Sequence, residues 1–185
     1  MTLFEYLSVA TSIVLSLSAA QLLTNLRSVL DPSRRYWVHT LWTLLALFVH
    51  LIIWWEFWGY RDVASWNLAK FSLMLLNPGI LLFCSSTLVH PESETSWDRH
   101  YYAVRRPLLG AFGMLPLVSV LRRWVVADLP LLSSANFPEL LFAMIFAAGF
   151  ASGNRRVQEA LVLLMWCTMI FTSGSTWFRP GEVVS

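Results

Sequence analysis

Charge is what this chain has least of. Lys, Arg, Asp and Glu make up 13% of its 185 residues, about half the share of an ordinary soluble domain. Hydrophobic residues make up 57% and aromatics 15%, and the mean hydropathy is +0.59. A soluble chain this apolar could not cover its own surface. No basic run exceeds two residues and the formal net charge is +2, so nucleic-acid binding is not indicated. Cysteine is equally sparse. Cys84 and Cys167 both fall in apolar runs, which reads as buried free thiols and argues against a disulfide framework.

Catalytic motifs are missing too. The chain has no GxSxG, no P-loop, no CxxCH and no HExxH, so the usual nucleophile, phosphate, haem and zinc signatures are absent. The nearest approach to a glycine-rich loop is Gly110–Gly113, inside an apolar run. The balance leans away from an enzyme, and no cofactor is expected. Before Arg27 the only charge is Glu5, so the first apolar run lacks the positive leader of a cleavable signal peptide and reads as a span.

What is present is long apolar runs. Six segments approach the roughly 20 residues a helix needs to cross a bilayer: 3–26, 37–58, 67–89, 107–125, 136–152 and 157–178. No alternating strands point to a barrel. The expected fold is all-α: a single membrane domain, residues 1–185, with about six transmembrane helices. The polar stretch 90–106 is expected to add an amphipathic helix on the inner face, since Trp97, Tyr101, Val104 and Leu108 recur at helical spacing.

Orientation follows from Lys and Arg. Loops 27–36, 90–106 and 153–156 hold eight: Arg27, Arg34, Arg35, Arg99, Arg105, Arg106, Arg155 and Arg156. The other side holds five: Arg61, Lys70, Arg122, Arg123 and Arg179. Both termini are therefore expected outside. The layout is similar to that of small polytopic bacterial inner-membrane proteins, which makes that membrane the expected location. Trp54, Trp55, Trp58, Tyr60, Trp66, Trp124 and Trp177 are expected to form an outer aromatic belt, and Trp37, Trp42, Trp97, Tyr101 and Tyr102 an inner one.

The chain is organised around Tyr36–Tyr60, YWVHTLWTLLALFVHLIIWWEFWGY. Nine Leu, Ile, Val and Phe residues between Leu41 and Ile53 favour insertion by about 3–5 kcal/mol, enough to offset one polar residue, His50. In the first segment Ser8, Ser12, Ser16 and Ala19 or Ala20 form a small-residue stripe suited to close helix packing. In the third, Asn77–Pro78–Gly79 predicts a kink or local unwinding.

Three constellations carry chemistry. By depth, His50, Asn77, Pro78, Gly79, Pro116, Trp166 and Thr168 share the bilayer centre. Buried polar groups there often mark an ion or solute pathway; the plainer reading is a structural histidine and ordinary proline kinks. Trp166 needs a partner for its indole N–H. At the outer side Glu5, Glu56, Asp62, Lys70, Arg122, Arg123, Asp128 and Glu139 form a charged rim. Glu56, among tryptophans, is expected to pair with Lys70, Arg122 or Arg123; the rim reads as an ion-pair network or as a vestibule that attracts solute. At the inner side His90, Glu94, Asp98 and His100 are metal-capable but lack zinc spacing, so a solvated face is the plainer reading. A haem held by two histidines would need His39 with His90 or His100.

The leading expectation for function is movement of an ion or small solute, with His50 as the polar or proton-exchanging group. A non-catalytic interaction or sensory subunit gripping lipid or a partner protein is the second, and a membrane enzyme of lipid, quinone or haem type the third. Lipid is the expected partner, and a homo-oligomer is expected because six short helices offer little interior.

Overall fold

The computed structural model describes residues 2–63, 65–89 and 96–176. Six helices follow in order: α1 Leu3–Leu30, α2 Trp37–Phe57, α3 Leu68–Val89, α4 Trp97–Ala127, α5 Phe137–Ala151 and α6 Arg155–Thr176. Short 3-10 turns, Trp58–Tyr60 and Ser134–Asn136, extend α2 and precede α5. There is no strand among the described residues. Among the described residues, five helical stretches are long and apolar enough to cross a membrane. The sixth helix carries Arg155, Arg156 and Glu159 at its start. The protein is a polytopic α-helical membrane protein.

The helix ends follow from local chemistry. Thr2 caps α1 through the Glu5 backbone N–H at 3.1 Å, and the Glu5 carboxylate accepts from Thr2 N–H at 2.8 Å, the reciprocal capping box. Asp31 and Pro32 end it. Outside the span, the Ser33 hydroxyl and backbone N–H both donate to Asp31 Oδ1, at 2.7 and 3.0 Å, which holds that carboxyl below the ordinary range. Asn67 accepts from Lys70 N–H at 2.9 Å to start α3. Pro138 occupies the first turn of α5, where its missing N–H has no helical partner to lose. At the end of α4, Asp128 takes a φ of 55°, and the Asp128 and Leu129 N–H groups both return to the Arg123 carbonyl. This left-handed stop closes α4 one turn beyond Arg122 and Arg123.

Packing runs α1 against α3, α3 against α4 and α4 against α5, with α6 beside α2 and α5. The most enclosed helix is α2, which touches α1, α3, α4 and α6. Pro78 does not interrupt α3. The helix stays continuous because packed neighbours hold it while one backbone donor is lost. At Gly149 of α5, an added Cβ would lie 2.9 Å from the Leu109 side chain of α4, so the absence of a side chain sets that close approach.

Four expectations are corrected. The inner-face segment does not form a separate surface helix: residues 97–106 are the first turns of α4, which runs through Pro107. Trp97 anchors it, donating from its indole to Ser28 O at 2.8 Å and from its backbone to Arg34 O at 3.3 Å. The inner aromatic belt is largely core: Trp42, Trp97 and Tyr101 are buried. The seam of α1 is Leu7, Thr11, Leu15, Ser18, Leu22 and Val29, while Ser8 and Ser12 flank it and Ser16 is exposed. Leucine volume, rather than absence of volume, fills the space against α3. Finally, Cys84 is buried but Cys167 is exposed on the outside of α6.

Candidate functional site

Four charged side chains close one end of the bundle. Glu56 comes from the last turn of α2, where a carboxylate opposes the helix dipole. Arg122 Nη2 donates to Glu56 Oε2 at 2.7 Å and Arg123 Nη2 to Oε1 at 3.4 Å. Arg123 also pairs with Glu139, from the first turn of α5. The group is desolvated: Arg122 is 1% exposed, Arg123 3% and Glu56 6%. Arg122 Nε donates to the Tyr60 hydroxyl at 3.1 Å and its guanidinium lies 5.1 Å from the Tyr60 ring centre. Arg123 Nη1 donates to Ala135 O at 2.9 Å. Two guanidinium and two carboxylate groups balance, so the cluster carries no formal net charge. Lys70 takes no part in it and forms no ion pair among the described residues.

Next to these ion pairs, toward the middle of the bundle, lies a cavity of about 70 Å³ between α2, α3, α4, α5 and α6. Its walls are mostly apolar, with Ile53, Phe112, Phe142, Phe146, Met165 and Met169 among them. The polar residues on the wall are Glu56, Asn77, Ser119 and Glu139. Asn77 is 1% exposed and donates through Nδ2 to Ser119 Oγ at 2.9 Å. Its Oδ1 has no donor, and neither has Glu139 Oε2. An unpaired buried polar atom costs about 1–3 kcal/mol; Arg123 Nε, a donor, is also without a partner, so the polar groups at this end of the bundle are incompletely matched. Ser119 is three and four residues before Arg122 and Arg123, one helical turn, which puts the Asn77 contact close to the ion pairs.

His50 lies elsewhere. It does not line the cavity but faces α1 and α3. Nδ1 is 2.7 Å from Ala46 O, and Nε2 is 2.7 Å from Ser18 Oγ, itself 2.8 Å from Ser85 Oγ. A carbonyl only accepts, so Nδ1 carries the hydrogen. In the uncharged ring Nε2 then accepts from Ser18, and Ser18 accepts from Ser85. The chain of bonds ties three helices together. The residues grouped by depth thus separate: Asn77 and Pro116 reach the cavity, while Pro78 is buried in α3 away from its lining. Trp166 donates to Leu41 O at 3.2 Å, Thr168 bonds back to Leu164 O and Met165 O of its own helix at 2.9 Å, and a Cβ on Gly79 would meet nothing within 4 Å.

At the other end, histidines cap α3. His39 Nε2 is 3.0 Å from Leu88 O and His100 Nε2 is 3.0 Å from Thr87 O, so both nitrogens donate to last-turn carbonyls that lack helical partners. His39 stacks on Trp97 with ring centres 4.4 Å apart. Asp98 accepts from Ser96 Oγ. His90 and Glu94 lie outside the described residues. Among those described, no three His, Cys, Asp or Glu side chains converge as metal ligands.

The sequence placed Glu139 on the charged rim and Tyr60 in the outer aromatic belt, without joining either to the Glu56 pairs, and it singled out neither Ser119 nor Gln158. Gln158 is fully buried; it accepts from Tyr101 OH at 2.6 Å and donates to Gly149 O and Ser152 O at 2.8 and 2.6 Å. A spacing signal for Ser119 exists, one turn before the arginine pair. No protein-family model, curated protein or solved structure matches this chain.

Proposed function

We propose that the protein moves a small solute or ion through its helical bundle, and that the cavity beside Glu56, Glu139, Asn77 and Ser119 is where the solute resides. The observation that carries this reading is a cavity between five helices whose lining includes the polar residues Glu56, Asn77, Ser119 and Glu139. Membrane interiors hold such groups at a cost, and they commonly mark pathways. In this reading the ion pairs among Glu56, Glu139, Arg122 and Arg123 form a neutral gate at one end. Residence in a bacterial inner membrane with both termini outside belongs to the same proposal; the eight-to-five distribution of Lys and Arg supports the orientation.

The test is flux in vesicles reconstituted with the whole protein, against protein-free vesicles, for a panel of ions and small uncharged solutes. Val49→Phe adds bulk from a wall residue of α2 without touching a polar group. The expected result is a permeability above that of protein-free vesicles, and its loss in Val49→Phe while thermal melting in detergent shows a folded protein. Equal permeability with and without protein for every solute would sink the reading.

A second reading, a non-catalytic lipid- or partner-binding subunit, draws on one feature. A groove of about 640 Å³ between α1 and α2 is lined by Phe4, Ser8, Ser12, Trp54 and Trp58, and its Trp54 and Trp58 side chains are exposed. Co-purification of a stoichiometric partner or lipid, without flux, selects it.

A further inference from the structure

We propose that the end of the bundle carrying Arg106, Arg155 and Arg156 binds the headgroup of an anionic phospholipid, whose acyl chains lie along the exposed face of α4 over Gly110, Met114 and Leu117. The site lies outside the cavity lining and does not rest on solute movement.

The charge at this end is unbalanced. Loops 27–36, 90–106 and 153–156 hold eight arginines against four carboxylates. The carboxylates described there are already engaged. Asp31 accepts from Ser33, Asp98 from Ser96 and, beside the third loop, Glu159 from Arg155 at 3.1 Å. Arg106 and Arg156 are exposed and form no ion pair among the described residues. Helix stabilisation does not account for Arg155 and Arg156, which stand in the first turn of α6, where the dipole disfavours cations. The opposite end differs, since there Glu56 and Glu139 neutralise Arg122 and Arg123.

Two sets of contacts bring the arginines of α4 and α6 together. Arg105 donates to Phe150 O and Ser152 O at 3.2 and 3.0 Å, which holds the turn before Arg155 against α4. The Arg155 guanidinium lies 5.3 Å from the Tyr36 ring centre, and the Tyr36 hydroxyl is 3.3 Å from that of Tyr102, one helical turn before Arg106. Beyond Arg106 the exposed residues of α4 are Pro107, Met114, Leu117, Leu121 and Trp124, with Gly110 half-buried among them. They form one apolar stripe at helical spacing. Trp124 follows Arg106 by eighteen residues, about 27 Å of helix, against a hydrocarbon core of about 30 Å. With Trp124 at one interface, Arg106 therefore stands at headgroup level at the other, in line with the stripe. A phosphate there meets guanidinium donors while its acyl chains meet apolar side chains. A soluble anion lacks the chains, and in a zwitterionic lipid the attached cation opposes the arginines.

The whole protein, in an uncharged detergent, is titrated with phosphatidylglycerol or with phosphatidylcholine of the same chains, and bound lipid is counted by native mass spectrometry. Phosphatidylglycerol should bind the more tightly. Each arginine beside an anionic headgroup is worth about fivefold in affinity, so Arg106→Gln with Arg156→Gln should weaken phosphatidylglycerol about 25-fold and leave phosphatidylcholine unchanged. Arg61→Gln with Lys70→Gln, at the other end, should change neither. If the first double variant does not fold, Ala103→Glu, at an exposed position between Arg99 and Arg106, should weaken the same binding. A phosphatidylglycerol with a photoreactive chain should label α4 between Pro107 and Trp124. Equal affinity for the two lipids, or an equal loss in both double variants, overturns the inference. Displacement of the lipid by glycerol phosphate, which has no chains, gives the site to a soluble anion and overturns it too. Labelling centred on the Trp54–Trp58 groove overturns the assigned place.

Discussion

Glu56 and Arg122, sixty-six positions apart, meet at 2.7 Å with both side chains almost wholly buried. The contact joins α2 to α4 at the end of the bundle where Arg123 brings in Glu139 from α5. In such a group the charges depend on one another more than on any single pair.

Removing both partners together should therefore cost less than the sum of removing each alone. Glu56→Gln leaves Arg122 buried without an anion and should destabilise by about 3–5 kcal/mol. Glu56→Leu combined with Arg122→Leu should cost clearly less than the sum of the singles. Unfolding in mixed micelles, run as a double-mutant cycle, checks this. Additive losses would show that the charges act independently.

His50 should behave as a structural tie. His50→Leu removes the bonds to Ala46 and Ser18, each worth about 0.6 kcal/mol on average in a membrane interior, so a loss of about 1 kcal/mol is expected. Because His50 stands away from the cavity lining, flux through reconstituted vesicles should change little. Abolished flux in a well-folded His50→Leu protein would return the pathway to α2's other face.

Gln158 should matter more than its place near a loop implies. Gln158→Leu leaves the Tyr101 hydroxyl without its acceptor and Gly149 O without its side-chain donor. Ser152 O retains Arg105 at 3.0 Å. A loss of about 1–3 kcal/mol follows, with faster hydrogen exchange in the last turn of α5 as the local readout.

Asp31 gives a pH test outside the spans. Its carboxyl is depressed by the Ser33 bonds. A depressed carboxyl contributes stability that is complete above its unfolded pKa and is lost as pH falls through the lower folded value. Ser33→Ala should move the Asp31 titration upward in NMR, toward an ordinary carboxylate. An unmoved midpoint would remove the Ser33 explanation.

Which parts were legible in advance follows from range. Helix positions were readable because apolar run length is local; the caps found in the structure, Thr2 with Glu5 and Asn67, also act within a turn. That Glu56 needs a cation was also readable, since a carboxylate among tryptophans at the apolar margin demands one at the same depth; the choice of Arg122 and Arg123 over Lys70 was not. Depth can be counted along a helix, but the facing direction cannot. His50 and Asn77 share the middle of the bundle, yet one looks toward Ser18 and Ser85 and the other toward Ser119.

The sequence by itself determined that this chain is built of apolar helices suited to a membrane, roughly where those helices lie, and which few polar residues need partners among them. Those conclusions need only transfer free energies and the rise of a helix. The tertiary structure alone decided who the partners are. Helix rotation set the Leu seam of α1, the burial of Trp97 at the start of α4 and the convergence of five helices on one cavity. Rotation and neighbour choice depend on side-chain packing between segments remote in sequence, and no local pattern encodes that.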